Sequence, residues 1–374
     1  MAITIKEVAR DAGVSVATVS RVLSGKGAVR EATRERVLEV ARRLDYVPHG
    51  AAQSLITRVT RTVGVILPDA HGEFFSELVR GIDLVSRAAG YHLLVSGFHS
   101  DSRDLVAILQ ATRGRVDGLI VMSPEADVGM LRQSLGEPVP VVLLNCAIES
   151  DEHDAIDVDN YGGARAVVEH LAGLGHRRIA MVTGPEHNVD SCERLRGFRD
   201  GMASISGNGA GAEAAELEGD FTEHGGYLAG RHILDLEPRP TAVFAANDMS
   251  AVGILCALAE VGVRVPDEMT VVGFDDVPLA RYLTPPLTSV AASMADVGRR
   301  AMERLVLAML DPAHHRPERE RLPARLVVRG SSAAPPGTRG EWGRVPTENL
   351  VAQGSTGVPG GAGSRRKGGP HGGS

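Results

Sequence analysis

The chain has 374 residues, more than one hydrophobic core usually serves, so two or three domains are expected. Its net charge of −7 is unevenly distributed. Residues 1–60 hold ten Lys/Arg against six Asp/Glu, and residues 331–374 hold five against two, so the body between them is strongly acidic. A basic end on an acidic body suits binding of a polyanion at that end, because phosphate repels the body.

Three widely spaced cysteines, Cys146, Cys192 and Cys256, give neither a disulfide framework nor a zinc-binding spacing. They are expected to be reduced thiols. The N-terminus has no signal-peptide pattern, and no run of 18 apolar residues occurs. These features predict a cytoplasmic protein that does not bind membranes.

The segment Thr4–Leu23 has the pattern of two short amphipathic helices joined by a turn at Gly13. Thr4 and Glu7 have the spacing of a capping box, and Ser15 is placed to cap the second helix. These offsets predict a helix-turn-helix, whose second helix presents its N-terminal side chains to the major groove of duplex DNA. An ordinary helical hairpin is the alternative.

A third helix is predicted over Glu31–Leu44, with an apolar face that packs on the first two helices. This face consists of Val37, Leu38, Val40, Ala41 and Leu44. The helix ends before Pro48, because proline disfavours the helical conformation in the residue before it. A short segment, His49–Ile56, and a polar stretch follow.

From Val63 onward, apolar runs alternate with amphipathic helical patterns. The predicted strands are Val63–Leu67, His92–Ser96, Gly118–Met122, Val139–Leu144, Arg178–Thr183, Ala242–Ala246 and Thr270–Phe274. The predicted helices between them include Phe75–Ala89, Tyr161–Leu174, Ser191–Ala203, Thr222–Leu236 and Ser250–Val261. Such alternation indicates an α/β fold with parallel sheets, and its length favours two lobes. After Gly330 the chain is rich in Gly, Pro and Ser, so residues 331–374 are expected to be disordered.

Four polar residues follow predicted strands directly: Asp69, Asn145, Asn247 and Asp275. Ligands of open α/β sheets bind beyond the carboxyl ends of the strands, so these side chains are expected to line a shared polar cleft. Taken singly, each of them is better explained as a helix cap or a turn residue. Their recurrence at equivalent points favours the cleft.

Arg194 is predicted to lie in the first turns of its helix, where its guanidinium can bind two hydroxyls or a carboxylate of a ligand. A salt bridge within one lobe is the alternative. Phe74, Phe75 and Phe221 stand out because only 3% of the chain is aromatic. Core packing is the better interpretation for Phe75, whereas Phe74 and Phe221 are open to ring stacking against a ligand.

Motifs of catalysis are absent from the sequence, including the dinucleotide-binding and Walker glycine loops, the serine-nucleophile elbow and the zinc-protease motif. The thirteen histidines show no metal-ligand spacing. We therefore expect neither an enzyme nor a bound metal or cofactor.

The sequence resembles the LacI/GalR family of bacterial transcription regulators over about residues 3–330. The resemblance rests on TIKEVARDAGVSVATVSRVL, TRTVGVILPD, RVDGLI, GHRRIAMVTGP, AAND and VVGFDD, which occur in the family's order. It implies a helix-turn-helix headpiece, a hinge helix, and a two-lobed core like the periplasmic sugar-binding proteins. It also implies a homodimer on a palindromic operator.

Carried over by motif, Val16, Ala17 and Arg21 match the family's base-reading positions, and only Arg21 can make a bidentate contact to guanine. Leu55 matches the hinge leucine that inserts into the minor groove and kinks the duplex. The full DNA-contacting set predicted in this way is Thr4, Ser15, Val16, Ala17, Thr18, Ser20, Arg21, Lys26, Ala52 and Leu55. The predicted effector-binding set is Asp69, Phe74, Asn145, Arg194, Phe221, Asn247 and Asp275.

The sequence departs from the family pattern at three places. Gly72-Glu73 stands where members commonly have Asn-Pro ahead of the two phenylalanines, which changes the first cleft loop. Arg30 stands where a small capping residue usually opens the third helix. The hinge has His49 in place of a capping asparagine and Gly50 in its first turn, and both weaken a short helix.

The predicted domains are a headpiece (1–48), a hinge helix and linker (49–60), an N-terminal lobe (61–160), a C-terminal lobe (161–290), a crossover segment completing both lobes (291–330) and a disordered tail (331–374). The predicted function is a repressor that a sugar inducer releases from its operator. A corepressed regulator of purine type is the alternative within the family. A sugar-binding protein that serves a transporter and an enzyme with a Rossmann-like lobe are the alternatives outside it.

Overall fold

The computed structural model describes residues 3–24, 28–46, 59–68, 72–98, 102–123, 128–136, 139–146, 152–206 and 211–337. The headpiece contains three helices: α1 (Ile5–Asp11), α2 (Val16–Ser24) and α3 (Glu31–Arg43). The turn between α1 and α2 places Gly13 at φ +64°, a left-handed conformation that glycine adopts without a steric penalty. The small core between the helices contains Val8, Ala9, Ala12, Val19, Val22, Val37, Val40 and Ala41.

One predicted core residue of the headpiece is on the surface. Leu38 is 38% exposed, whereas Val37 and Val40 on the same helix are buried. It lines a shallow pocket beside Leu23 and Ala41, toward the edge of the apolar stripe of α3.

The core has two six-stranded sheets. The strands are β1 (Thr62–Leu67), β2 (His92–Gly97), β3 (Gly118–Met122), β4 (Val141–Leu144), β5 (Asp154–Val158), β6 (Arg178–Val182), β7 (Glu213–Leu217), β8 (Ala242–Ala245), β9 (Thr270–Asp275), β10 (Thr288–Ala291), β11 (Arg319–Leu322) and β12 (Arg325–Val327). The first sheet has the strand order β11-β5-β4-β3-β1-β2 and the second has β12-β10-β9-β8-β6-β7. All neighbours pair in parallel except β10 and β12.

The core helices connect these strands. They are α4 (Glu73–Ala89), α5 (Ser102–Thr112), α6 (Val128–Leu135), α7 (Asn160–Gly173), α8 (Val189–Ile205), α9 (Glu223–Asp235), α10 (Asp248–Glu260) and α11 (Met294–Leu310), with a short 3-10 helix, Pro278–Arg281. The chain leaves the first sheet after β5 and returns through α11, which packs on α4 and the first sheet. It then adds β11 to the first sheet and β12 to the second.

The sequence predictions missed five strands, among them β5 and β7. Strand β5 reads Asp-Ala-Ile-Asp-Val, and its acidic residues interrupt the apolar run that marks a buried strand. Asp154 and Asp157 are nevertheless buried, because His315 and Arg319 bind their carboxylates at the sheet edge. Pairing with side chains that are distant along the chain therefore stabilises this strand.

The expectation that disorder begins at Ser331 is wrong, because residues 331–337 belong to the described structure. Ser331 is fully buried and its hydroxyl donates to the Val271 carbonyl at 2.6 Å, while the Ala333 carbonyl lies 2.7 Å from the His176 ring nitrogen Nε2. Hydrogen bonding to the second sheet holds this segment although it is poor in apolar residues. Residues 338–374, on which the rest of the disorder prediction falls, lie outside the described residues.

Candidate DNA-reading helix and effector cleft

The outer face of α2 carries the predicted base-reading side chains. Val16, Ala17 and Arg21 are exposed, and Val16 keeps 41% of its surface accessible although it is apolar. Thr18 and Ser20 are half-buried, and Thr4, at the start of α1, is exposed. The predicted DNA-contacting side chains on α2 and at the start of α1 are thus exposed or half-buried.

Local hydrogen bonds fix both helix starts. The backbone N–H and the hydroxyl of Thr4 donate to Oε2 of Glu7 at 2.7 and 3.0 Å. The backbone N–H of Thr18 donates to the Ser15 hydroxyl at 3.2 Å. The hydrogen bond from the Thr4 backbone chiefly lowers the pKa of Glu7, so its carboxylate is ionised at neutral pH. The capping box and the cap on the second helix are confirmed.

Four of the predicted site residues, Lys26, Ala52, Leu55 and Asp69, lie outside the described residues, together with the whole of the predicted hinge helix. Their roles remain predictions.

In the core, five side chains form a hydrogen-bonded chain across the space between the two sheets, called the polar chain here. Asn145, after β4, donates to Asp190 at 2.9 Å, and Asn160 donates to the other oxygen of Asp190 at 2.8 Å. Arg194 donates to Oδ1 of Asn160 at 2.8 Å and to Asp275 at 3.0 Å. Because Asn145 belongs to the first lobe and Asp190 to α8 of the second, the polar chain joins the lobes.

Arg194 is the centre of the polar chain on the second lobe. Its side chain is only 4% exposed, its guanidinium carbon lies 3.8 Å from the Phe274 ring centroid, and the Phe221 centroid is 5.7 Å away. The salt bridge to Asp275 within one lobe, the alternative raised above, is therefore present. It does not exclude ligand binding, since a guanidinium has five N–H donors.

Burial disfavours the ionised forms of the two carboxyl groups in the polar chain. Desolvation raises the pKa of Asp275 to about 6, against the opposing influence of Arg194. Desolvation also raises the pKa of Asp190, again opposed by Arg194. A cleft with one guanidinium between two carboxylates favours neutral ligands with several donor groups over anions.

The end of β8 supplies the predicted Asn247 and a neighbouring acid. Asn247 caps α10 by accepting from the Ser250 N–H at 2.9 Å, and its amide donates to the Phe221 carbonyl at the same distance. Asp248 is buried and accepts from the Val277 N–H at 2.9 Å. Asn247 therefore has the capping role weighed above and also holds Phe221 beside the polar chain, while Asp248 fixes the loop that follows Asp275.

Gly273 in β9 is required by this arrangement. A Cβ atom at this position would lie 2.2 Å from Oδ1 of Asp248. The glycine of the VVGFDD motif thus leaves room for a buried carboxylate that positions the cleft loop.

One acceptor in the cleft has no partner among the described residues. Oδ1 of Asn145 is buried without a hydrogen bond, whereas its amide nitrogen binds Asp190. Such a group is costly to leave unsatisfied, so Oδ1 of Asn145 is a candidate acceptor for a ligand donor.

The sequence predicted that Phe75 packs in the core and left Phe74 and Phe221 open to ligand stacking, and the structure agrees with this division only in part. Phe74 and Phe75 pack edge to face with centroids 5.1 Å apart, and both are half-buried against the main core. Phe221 is half-buried as well, at φ +68°. The interpretation of Phe75 as a packing residue agrees with these contacts, and Phe221 is the aromatic ring that lies next to Arg194.

Asp190 and Asn160 are members of the polar chain that the sequence predictions missed. Asp190 precedes Arg194 by one helical turn, so the two share a face of α8, a signal that helical periodicity offers. Asn160 follows β5, the strand that was not identified, and its equivalence to the other strand-end residues was therefore hidden.

Elsewhere in the core, a cavity of about 540 Å³ opens near the start of β4 and is lined by Arg132, His153 and His315, among others. It lies away from the polar chain. Within the described ranges, no group of three or more His, Cys, Asp or Glu residues is arranged to hold a metal ion. No helix in the described part of the chain is long and apolar enough to cross a membrane.

Comparison with known proteins identifies the family of the chain. Residues 4–49 match the model of the bacterial regulatory proteins of the lacI family, and residues 168–332 match a periplasmic binding protein-like domain. The repressor PurR of Vibrio cholerae O1 (strain M66-2) is 35% identical over 324 residues, covering 84% of this chain and 93% of that protein. The chain belongs to the LacI family.

Other relatives agree. Catabolite control protein A of Priestia megaterium is 34% identical over 311 residues, covering 83% of this chain and 93% of that protein. The Lac repressor dimer bound to operator and the anti-inducer ONPF has a TM-score of 0.77 at 30% identity, covering 89% of this chain and all of that one. The transcriptional regulator CelR with cellobiose has a TM-score of 0.65 at 31% identity, covering 88% and 100%.

The predicted family and fold class are confirmed. This LacI family member is a DNA-binding transcriptional regulator with a helix-turn-helix headpiece and a two-lobed core that binds a small-molecule effector. Its matched relatives are regulators, in keeping with the absence of catalytic motifs.

Proposed function

We propose that this regulator is a repressor that binds a palindromic operator as a homodimer and is released when a sugar occupies the cleft between its lobes. The observation that carries the proposal is the polar chain, which spans the lobes and contains the unsatisfied Oδ1 of Asn145. A ligand that binds this chain changes the contacts between the lobes, and with them the separation of the segments that lead to the headpieces. A coupling on the order of 1–3 kcal/mol is enough for such control.

Three groups of the cleft favour a sugar. Asp190, Asp275 and Oδ1 of Asn145 are acceptors, and a polyhydroxylated ligand supplies donors to all of them. The half-buried ring of Phe221 suits the apolar face of a pyranose. Solved relatives of this chain include complexes with cellobiose and ribose.

A corepressed regulator of purine type is the second candidate. Several of the matched curated relatives are PurR repressors, and the rings of Phe74 and Phe221 offer stacking surfaces to a nucleobase. The two candidates predict opposite effects of the ligand on operator affinity, because a corepressor strengthens operator binding whereas an inducer weakens it.

DNA recognition is tested by selecting preferred duplexes for the full-length protein from a random pool. We expect a palindrome, with headpieces in successive major grooves. Arg21→Ala lowers discrimination at one position of each half-site by about 1–3 kcal/mol, because a bidentate contact to guanine is lost. Arg36→Ala on α3 is the control, since it removes the same charge but leaves base preference unchanged. A wild-type protein without any duplex preference contradicts the proposal.

Effector class is tested by thermal unfolding of the full-length protein with a panel of neutral sugars and purines. A bound ligand raises the midpoint through mass action. Asp275→Ala is expected to abolish the shift and the ligand's effect on operator binding, while operator binding without ligand persists. Loss of both would indicate a structural role for Asp275, and stabilisation by purines alone would favour the second candidate.

A further inference from the structure

A second contact between the lobes lies beside the polar chain and does not belong to it. Glu73 is the first residue of α4 in the first lobe, and its Oε2 accepts a hydrogen bond from the backbone N–H of Leu279 at 2.8 Å. Leu279 lies in the 3-10 helix Pro278–Arg281 of the second lobe, just after Asp275. The contact therefore ties the loop that follows a cleft carboxylate to the residue next to Phe74.

Three features strengthen the hydrogen bond between Glu73 and Leu279. The first N–H groups of a helix have no acceptor within that helix, and a carboxylate at this end is favoured by the helix dipole. Both Glu73 and Leu279 are half-buried, so water competes weakly for either group. A hydrogen bond to an ionised acceptor is also stronger than one between neutral groups.

A charge on the next turn of α4, that of Glu77, also interacts with the second lobe. Glu77 lies one turn further along α4. The hydrogen bond from Arg80 chiefly lowers its pKa, and the guanidinium of Arg281, on the second lobe, lowers it further. The start of α4 thus presents negative charge to a segment of the other lobe that carries the Leu279 N–H and the Arg281 guanidinium.

The contact depends on the side chain at position 73. Family members commonly have Asn-Pro where this chain has Gly72-Glu73, and a proline side chain has no hydrogen-bond acceptor. The departure that the sequence shows at this position therefore has a structural consequence, because it adds a bond between the lobes.

We propose that Glu73 is a positioning residue that holds the ligand-free cleft closed by tying the loop after Asp275 to the first lobe. An effector then enters only when this bond opens, and the fraction of open molecules sets its apparent affinity. The consequence for operator control rests on the proposed function, whereas the closure itself does not.

Hydrogen exchange on the full-length, ligand-free protein tests the closure. In Glu73→Ala, exchange in a peptide covering residues 277–283 is expected to accelerate about tenfold, because a hydrogen bond to a charged group is lost. Glu73→Pro should do the same, and proline is well tolerated at the first position of a helix, so α4 keeps its start. Asp83→Ala is the control: Asp83 lies on the same helix, but its carboxylate binds Arg87 within α4, so exchange in this peptide should not change.

Wild-type exchange of residues 277–283 in both Glu73 variants overturns the proposal. Acceleration confined to α4 itself also overturns it, since that result describes a weakened helix start and no contact between lobes. Operator titration of the same proteins separates the two hypotheses. If the wild type selects no operator but the Glu73 variants still accelerate exchange, the proposed function fails and the closure stands.

Discussion

The headpiece and the effector cleft are built in opposite ways. The helix starts of the headpiece are fixed by residues three positions apart, as in the Thr4–Glu7 and Ser15–Thr18 pairs. The polar chain joins residues 30 to 81 positions apart, as in Asn160–Asp190 and Arg194–Asp275. The headpiece is therefore a locally determined surface, whereas the cleft exists only when both lobes have folded and met.

This comparison predicts that single changes in the cleft cost more stability than changes on the headpiece. The largest effect is expected for Arg194→Met, which leaves the buried carboxylate of Asp275 without its cation. Such a loss typically costs about 3–5 kcal/mol. The measurement is urea unfolding of the full-length protein at pH 8, where Asp275 is ionised.

The matched control for that change is Arg199→Met on the same helix. Arg199 pairs with Glu216, and its side chain is 59% exposed, so its loss is expected to change stability by less than about 1 kcal/mol. Equal losses in the two variants would contradict the comparison, because they would show that burial of the Arg194–Asp275 pair adds nothing.

A second effect depends on pH. The folded protein raises the pKa of Asp275 from 3.8 to about 6, mainly by burial, with Asp190 and Arg194 facing it. A carboxyl that ionises less readily when folded destabilises the folded state above its folded pKa, and this penalty disappears below about pH 4. The stability of the wild type relative to Asp275→Asn should therefore fall by about 2 kcal/mol between pH 4 and pH 7.

Unfolding of both proteins across this pH range measures the difference. A difference that stays constant, or rises with pH, would place the pKa of Asp275 at or below its ordinary value. The desolvation argument for a cleft that prefers neutral ligands would then be lost.

The smallest effect is expected in the headpiece. Ser15→Ala removes the side-chain cap of α2, which typically costs about 1 kcal/mol, whereas Ser15→Asp retains an acceptor at the cap. Hydrogen exchange in residues 16–24 of the DNA-free protein measures this loss of stability in α2 separately from the stability of the core. If the alanine and aspartate variants exchange alike, the cap at Ser15 contributes nothing to α2.

Much of the core fold could be predicted from the sequence, because most parallel strands are short apolar runs between helical patterns. Strand β3 and the helices from α7 to α10 were predicted to within a few residues. Strand β7 reads Glu-Ala-Ala-Glu-Leu and lies at the sheet edge, so it lacks the run of large apolar residues that marks a buried strand. Its pairing with β6, rather than its composition, makes it a strand.

The cleft could be predicted only as a set of positions. Strand ends and motif matches indicated Asn145, Arg194, Asn247 and Asp275, since topology dictates where carboxyl ends meet. They did not reveal that Asp190 connects the lobes, because that connection depends on the distance between two separately folded sheets.

The sequence by itself determined the headpiece helices, the family and the alternation of strands and helices, because each depends on residues that are near one another along the chain. Only the tertiary structure decided which of the polar residues bind one another. It buried Asp154 against His315 and Asp157 against Arg319, made Asp275 a carboxyl with a raised pKa, and brought Glu73 to Leu279. Burial and charge pairing depend on what folds against a residue, and neither can be inferred from the residues next to it in the sequence.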